Sequence, residues 1–357
     1  MTILELPTES SAQSPPPHAP IEVAYFQRRP RRNANFSIEF VFDTLRRELG
    51  DRINAKVHIA PFTSNGFVRR FWIAWHARRH QGQLNHVTGD TNFSGLLLDP
   101  ARTILTNHDC GYLNRTGGVR RWLLKKFWLD WPVKRAAAVT TVSSQIKTEI
   151  VKYSGCSPGK VHVIPNAVPE CFTYNPRDEV NPRPRILHLG TAPNKNLPRL
   201  VDALRGLACT LVIVGDLDRA ILELLRESRL DFERYANVSG GKLLQLYNES
   251  DIVAFASLYE GFGLPILEAQ AIGRPLVTSN RMPMREIAGP GACLIDPESV
   301  PEIRAAMLRI IGDAAYRKSL VANGLANVER YRPAAIAEQY LRLYEQVAEA
   351  ANVRASS

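Results

Sequence analysis

Residues 259–268 read Tyr259-Glu260-Gly261-Phe262-Gly263-Leu264-Pro265-Ile266-Leu267-Glu268, two carboxylates eight positions apart with two glycines and a proline between them. Upstream, Asp251 to Ser257 (DIVAFAS) is an apolar run of strand length, and downstream Leu267 to Ile272 reads as helix. The segment is therefore predicted as a strand, a glycine turn, and a helix opening near Leu264. Pro265 is tolerated in the first helical turn, where a missing N–H costs no intrahelical bond. A helix start presents unpaired N–H groups at the positive end of the helix dipole, which favours phosphate. On this reading the backbone N–H groups of Phe262, Gly263 and Leu264 cradle an anion beside Gly261. Glu260 lies in the turn above it, and Glu268 lies about one turn into the helix, where a carboxylate accepts hydrogen bonds from sugar hydroxyls. An anion cradle between two hydroxyl-accepting carboxylates suits a sugar nucleotide.

The surrounding pattern is alternating strand and helix. Strands are predicted at Arg185 to Gly190, Cys209 to Gly215 and Pro275 to Thr278, with helices at Leu197 to Leu207, Asp218 to Arg229 and Leu243 to Asn248. Short apolar strands separated by helices imply a parallel sheet covered on both faces. Ligands of such sheets sit at the carboxyl ends of the strands, where Gly190, Gly215 and Gly261 fall. The first half is α/β too, with strands expected at Ile21 to Phe26, Lys56 to Ile59, Gln83 to Val87, Arg102 to Thr106 and Ala138 to Val142. The stretch Tyr174 to Pro184 (YNPRDEVNPRP) reads as the linker between halves.

The 259–268 segment resembles the E-x7-E motif of retaining glycosyltransferases of the GT-B fold, and its flanks are similar to glycosyltransferase family 4 (glycosyl transferases group 1). The likeness runs on through Pro275 to Asn280, Arg285 to Gly289 and Ala292 to Pro297. It implies an α/β fold of GT-B architecture, two Rossmann-like domains facing across a cleft, with the C-terminal helix returning to the first. The expected division is a disordered tail over 1–20, an acceptor-binding Rossmann-like domain over 21–175, and a linker over 176–184. A nucleotide-sugar donor-binding domain over 185–332 and a crossing helix over 333–350 follow.

The resemblance also assigns roles. Glu268, matched to the second motif glutamate, is expected to hold the nucleotide ribose, and Glu260, matched to the first, to face the transferred sugar. The turn Gly190-Thr191-Ala192-Pro193-Asn194-Lys195-Asn196 matches the family's glycine loop. Gly190 lets the backbone approach a ligand and Lys195 supplies a compact cation for the diphosphate, while Thr191 stands where family members commonly carry an arginine. Leu105-Thr106-Asn107-His108-Asp109 resembles the T-x-H-D stretch that lines the cleft beside the donor sugar, and a neutral His108 there can hydrogen-bond a hydroxyl or a developing charge. Glu260, Lys195 and His108 are the expected catalytic set. No side chain is a convincing nucleophile, so the leaving diphosphate itself is expected to take the acceptor proton. No metal and no other cofactor are implied.

The first loop departs from the family. In place of a glycine-rich turn it reads Arg28-Arg29-Pro30-Arg31-Arg32-Asn33-Ala34-Asn35-Phe36-Ser37. Its arginines suit a polyanionic acceptor or an exposed basic surface, and Arg28, Arg31 and Asn35 with Asp90 and Asp109 are the acceptor-side candidates. Residues Gly117 to Arg135 mix cations with Trp122, Trp128, Trp131 and Phe127. Such a stretch either lies at a membrane surface or is a helix with its tryptophans in the core.

Composition narrows the class. The chain has 357 residues and net charge +10; residues 1–180 hold 24 Lys+Arg against 15 Asp+Glu, and residues 181–357 hold 21 against 20, so the excess belongs to the first half. A basic face favours phosphorylated acceptors or an anionic membrane, and no motif of a nucleic-acid reader accompanies it, so nucleic acid is not expected as a partner. The five cysteines lack metal-ligand spacing, and with neither a signal peptide nor an apolar span recognised, the expected place is the cytoplasm, peripheral to the membrane's inner face. The expected activity is retaining, metal-independent transfer of a hexose from a GDP- or UDP-sugar to a saccharide or lipid-linked acceptor in surface polysaccharide assembly. The alternatives are a non-catalytic sugar-nucleotide-binding partner and a GT-B-fold sugar-nucleotide epimerase.

Overall fold

A computed structural model describes residues 20–29, 38–114, 116–177 and 179–356. Residues 1–19 of the expected tail and the candidates Arg31 and Asn35 lie outside the described residues.

Two six-stranded parallel sheets organise the chain. The first is built from β1 (Ile21–Gln27), β2 (Ile53–Ile59), β3 (Leu84–Val87), β4 (Thr103–Asn107), β5 (Ala138–Thr141) and β6 (Val161–Val163), in the order β2-β1-β3-β4-β5-β6. The second is built from β7 (Arg185–Leu189), β8 (Thr210–Val214), β9 (Asp231–Tyr235), β10 (Ile252–Phe255), β11 (Leu276–Ser279) and β12 (Cys293–Ile295), in the order β12-β11-β10-β7-β8-β9. In each sheet the order reverses beside the first strand in sequence, and that switch point leaves a crevice at the strand carboxyl ends. The central strands β3, β4, β5, β10 and β11 are buried on both faces, as strands of a parallel sheet covered by helices are; β10 is apolar throughout, while β3 and β4 bury Asn85, His86, Thr103 and Thr106 as well.

Sequence patterning missed β9. Its DFERY carries charges at alternate positions and is largely uncovered, because it is an edge strand. It is held by register with β8 (Val212 opposite Glu233) and by the Arg185 Nη2–Glu233 Oε2 bond at 3.0 Å. The last helix is longer than its amphipathic pattern suggested, Pro333–Ser356. It returns to the first domain, placing Ile336, Tyr340, Leu343 and Val347 in one core with Val23, Tyr25, Phe42 and Ile104.

A buried polar network fixes that return. His86 on β3 meets Tyr344 Oη through Nδ1 at 2.8 Å and Thr106 Oγ1 through Nε2 at 2.7 Å, and the Tyr344 and Tyr25 hydroxyls are 3.0 Å apart. Burial pushes the His86 imidazole down to about 3, so it stays neutral near pH 7. His86 Nδ1 and the Tyr25 hydroxyl are satisfied only while the helix is docked, and a buried polar group stranded without its partner carries a full desolvation penalty.

The stretch Gly117 to Arg135 does not put all its tryptophans in the core. Trp122 is 54% exposed and Trp131 43%; the segment forms helices Gly118–Leu124 and Trp131–Arg135 around a π-helical turn, Lys125–Asp130. Among the described residues, no helix is long and apolar enough to cross a membrane.

Tyr344→Phe should lower stability by about 1–3 kcal/mol by leaving His86 Nδ1 and the Tyr25 hydroxyl unpaired. The exposed neighbour Glu345→Ala should stay within about 0.5 kcal/mol. Urea midpoints at constant slope are the measurement.

Candidate functional site

The turn after β10 carries Glu260 to Gly263, and the helix Leu264–Ile272 opens from Gly263 with no side-chain cap and with proline in its first turn. Its first N–H groups therefore keep no side-chain partner, as the sequence predicted. The turn after β7 is tied to it. Asn194 Nδ2 donates to the Tyr259 carbonyl at 2.9 Å, the Leu258 N–H donates to the Asn194 carbonyl at 2.8 Å, and Asn196 Nδ2 donates to the carbonyls of Ala256 (3.1 Å) and Pro297 (2.6 Å). This lacing, across about 60 residues of sequence, places the Lys195 ammonium 2.7 Å from Glu260 Oε1 and 4.9 Å above the Phe255 ring. Gly190 makes room: at φ +86° a Cβ there would lie 2.9 Å from Lys195 Cε.

Two of the three expected catalytic residues, Lys195 and Glu260, are thus partners of each other. Thr191, at the family's arginine position, points elsewhere; its hydroxyl donates to the Asp216 carbonyl at 2.5 Å, and its methyl packs over Gly215. The Asp216-Leu217-Asp218 run is an Asp-x-Asp sequence, but Asp218 caps the next helix, accepting from the Ile221 N–H at 2.9 Å.

Glu268 is buried inside its helix, not on a solvent face. Tyr247 Oη donates to its Oε2 at 2.6 Å, and Oε1 accepts no hydrogen bond from any described residue. Burial pushes the Glu268 carboxyl up to about 7, against the pull of the Tyr247 bond and the Lys195 charge. Tyr247 went unnoticed in sequence, since nothing local to its helix marks it as a partner of a residue 21 positions away.

From the first domain, His108 follows β4 and faces this turn. Its Nε2 lies 2.8 Å from the Thr88 carbonyl. A carbonyl only accepts, so Nε2 carries the proton and Nδ1 keeps a lone pair. Burial holds the imidazole below its ordinary value, so it is neutral at neutral pH. Asp109 is partly a turn residue, its Oδ1 accepting the Gly111 N–H at 2.8 Å. The domains meet at Gly261: a Cβ there would sit 2.7 Å from the His108 carbonyl oxygen, and Ser143 Oγ donates to the Gly261 carbonyl at 2.9 Å.

Two cavities join at His108 and Asp109. One, of about 400 Å³, lies between the domains against Thr44, Asn166, Glu260, Gly263 and Leu264. The other, of about 570 Å³, lies in the first domain. Arg28 and Asp90 line the second and are ion-paired, and Arg28 Nε also bonds Glu39 Oε1 at 2.8 Å. Ser64, Asn92, Asn107 and Tyr112 also line it, and each holds a buried side-chain atom (Ser64 Oγ, Asn92 Oδ1, Asn107 Nδ2 and Tyr112 Oη) without a hydrogen-bond partner among the described residues. Serine, asparagine and ion-paired side chains in one lining suit a polar ligand. Only Asn107 had a signal in sequence, as the neighbour of His108.

Comparison with known proteins adds to this. Residues 20–170 match the profile described as Glycosyltransferase Family 4, and residues 183–313 match Glycosyl transferases group 1. The chain is 29% identical over 217 residues to the O-antigen chain mannosyltransferase B of Escherichia coli, covering 55% of this chain and 57% of that one. It is 28% identical over 242 residues to the MMP alpha-(1->4)-mannosyltransferase of Mycolicibacterium hassiacum, covering 64% and 58%. The matched stretches thus span little more than half the length of these relatives. Among solved structures, sucrose-phosphate synthase from Thermosynechococcus elongatus superposes with TM-score 0.73 at 18% identity, covering 92% of this chain and all of that one. Anabaena HepE in complex with UDP-glucose gives 0.73 at 16%, covering 91% and 100%. At such identities these two show the shared fold, two Rossmann-like domains across a cleft.

The buried carboxyl makes a pH test. If Glu268 holds the nucleotide ribose, as the resemblance implies, affinity for a nucleoside diphosphate should rise between about pH 6 and about pH 8, because Glu268 becomes a carboxylate, the better acceptor, only above about 7. Calorimetry should find this rise in the wild type and a flatter profile in Glu268→Gln.

Proposed function

Because the chain belongs to Glycosyltransferase Family 4, the glycosyl transferases group 1 of the GT-B fold, we propose that it transfers a hexose from a nucleoside-diphosphate sugar to a saccharide hydroxyl in polysaccharide assembly. The observation that carries this reading is the turn at 260–264, where the uncapped start of the Leu264–Ile272 helix and Glu260, paired with Lys195, share one cavity with His108, and Glu268 lies buried in the same helix. The nucleotide ribose goes to Glu268 Oε1, the diphosphate to the helix start with Lys195, and the sugar beneath Glu260 and His108. Donor binding would break the Lys195–Glu260 pair, freeing the ammonium for the leaving diphosphate and the carboxylate for the sugar. The polar cavity beside Asn92 and Asn107 takes the acceptor.

Retention at the anomeric carbon and independence of a divalent metal belong to the same proposal. Retention is supported by the E-x7-E motif, and metal independence by the assignment of Asp218 to a helix cap. Mannose is the first sugar to try, since both curated relatives quoted above bear mannosyltransferase names, and HepE was solved with UDP-glucose. The exposed Trp72, Trp122 and Trp131 beside many cations suit work at an anionic membrane surface.

A panel of GDP- and UDP-sugars tests the reading, with binding followed by calorimetry and products by NMR of the anomeric proton, with and without EDTA. Binding of one nucleotide class and an α-configured product from an α-donor support it. Donor binding without turnover on any saccharide would leave a non-catalytic binding partner, and an altered free sugar nucleotide would mean epimerisation. Lys195→Ala should lower kcat/KM by about 2–4 kcal/mol of transition-state stabilisation; unchanged turnover removes Lys195 from the mechanism.

A further inference from the structure

A third cavity continues the path that leads from the cleft into the first domain. It is a groove of about 490 Å³ between the Phe67–Arg79 helix and the Gly118–Asp130 segment, and it shares Leu124 and Trp128 with the polar cavity. Its lining changes character completely: Phe67, Phe71, Ala74, Phe93, Leu123 and Phe127 replace the asparagines and carboxylates next door. Phe67 is 79% exposed, Phe71 50% and Leu123 43%. Such a concave apolar surface is within the usual size of a ligand site and is costly to leave wet.

Two guanidiniums line this groove. Arg70 lies 4.4 Å over the Trp128 ring and donates to the Ser64 carbonyl at 3.2 Å, which ties it to the wall of the polar cavity. Arg120 lines the same groove. Neither is paired with a carboxylate among the described residues. Burial and the neighbouring Arg120 charge push the Arg70 guanidinium below its ordinary value, as expected for cations gathered without an anion. The floor is held in place by its own ion pairs, with Lys125 and Lys126 at 2.9 and 3.0 Å from the buried Asp130 carboxylate. Polar cavity, cations and apolar groove thus follow one another along a single path.

We propose that this groove holds the hydrocarbon chain of a lipid-linked acceptor, whose phosphate lies between Arg70 and Arg120 and whose sugar enters the polar cavity. The inference rests on the transferase reading and deepens it by naming the acceptor as an amphiphile. The order of polarity decides for a lipid phosphate. A free saccharide would leave the apolar groove empty, and a peptide offers no anion at the junction followed by an unbroken apolar segment. Bidentate guanidinium–phosphate bonds set the register of the head group, and each methylene buried beyond it should tighten binding by about fourfold.

The probe is a series of alkyl phosphates (butyl, octyl and dodecyl) titrated below their micelle concentrations against the full chain, with tryptophan fluorescence as readout because Trp128 lines the groove. Inorganic phosphate and dodecyl glucoside serve as the single-element controls. Saturable binding is expected to tighten at least tenfold from butyl to dodecyl, and Phe71→Asp with Leu123→Asp should abolish that dependence. Arg70→Gln with Arg120→Gln should bring dodecyl phosphate down to the affinity of dodecyl glucoside. Trp72→Ser, an exposed position outside the groove lining, should leave the series unchanged. Far-ultraviolet dichroism and nucleoside-diphosphate binding report whether each variant is folded and whether the donor reading stands apart from this one. The proposal is overturned by affinity independent of chain length, by chain-length dependence that survives the groove variants, or by adsorption to anionic phosphatidylglycerol vesicles with no saturable dodecyl phosphate binding.

Discussion

The backbone of the motif turn at Gly261 lies against the backbone of His108, and a side chain at position 261 would force the domains apart. A Cβ on Gly261 would stand 2.7 Å from the His108 carbonyl oxygen. Backbone cannot rotate aside as a long side chain can, so this contact sets how closely the two sheets face each other. Ser143 Oγ bonds the Gly261 carbonyl, Ser144 Oγ bonds Glu286 at 2.5 Å, and Tyr259 Oη reaches Glu149 at 3.2 Å. All three reinforce the same seam, and all come from the loop and helix after β5. The proposed donor side and the polar cavity are adjacent because this seam holds Glu260 and His108 around one cavity.

The seam also explains the electrostatic state of the site. Lys195 is paired with Glu260, and Arg28 with Glu39 and Asp90. Half-buried ions left alone would carry a desolvation cost, and these pairs offset it. On the proposed reading, a donor phosphate competes for Lys195 by offering better-placed oxygens, and the Glu260 carboxylate it releases meets the sugar. The buried Glu268 follows the opposite logic. It has Tyr247 as a neutral donor and no paired cation, so burial dominates and raises its carboxyl to about 7.

Much of the fold was legible from local pattern. Strands such as β8 and β10 are apolar runs bounded by glycine or polar turns, and a run of that kind has few alternatives to a covered parallel strand. The helix opening at Leu264 was legible because proline and glycine restrict the backbone at fixed offsets. β9 was not legible, since an edge strand uncovered by helices need not be apolar. The tryptophans of the Gly117–Arg135 stretch were ambiguous for a similar reason: spacing along a helix shows which residues share a face, and says nothing of whether that face is covered.

The amino-acid sequence by itself determined most of the elements, their alternation, and the motif turn with Glu260, Glu268 and Lys195, because these rest on short-range stereochemistry and on the spacing of charges within a few turns of chain. Tertiary structure decided which of those residues meet. Lys195 reaches Glu260 only through hydrogen bonds between two loops some 60 residues apart, Tyr247 reaches Glu268 across a helix pair, and Ser64, Asn92, Asn107 and Tyr112 line one cavity from separate elements. Such meetings depend on sheet order and domain packing, which are long-range properties that no local spacing encodes.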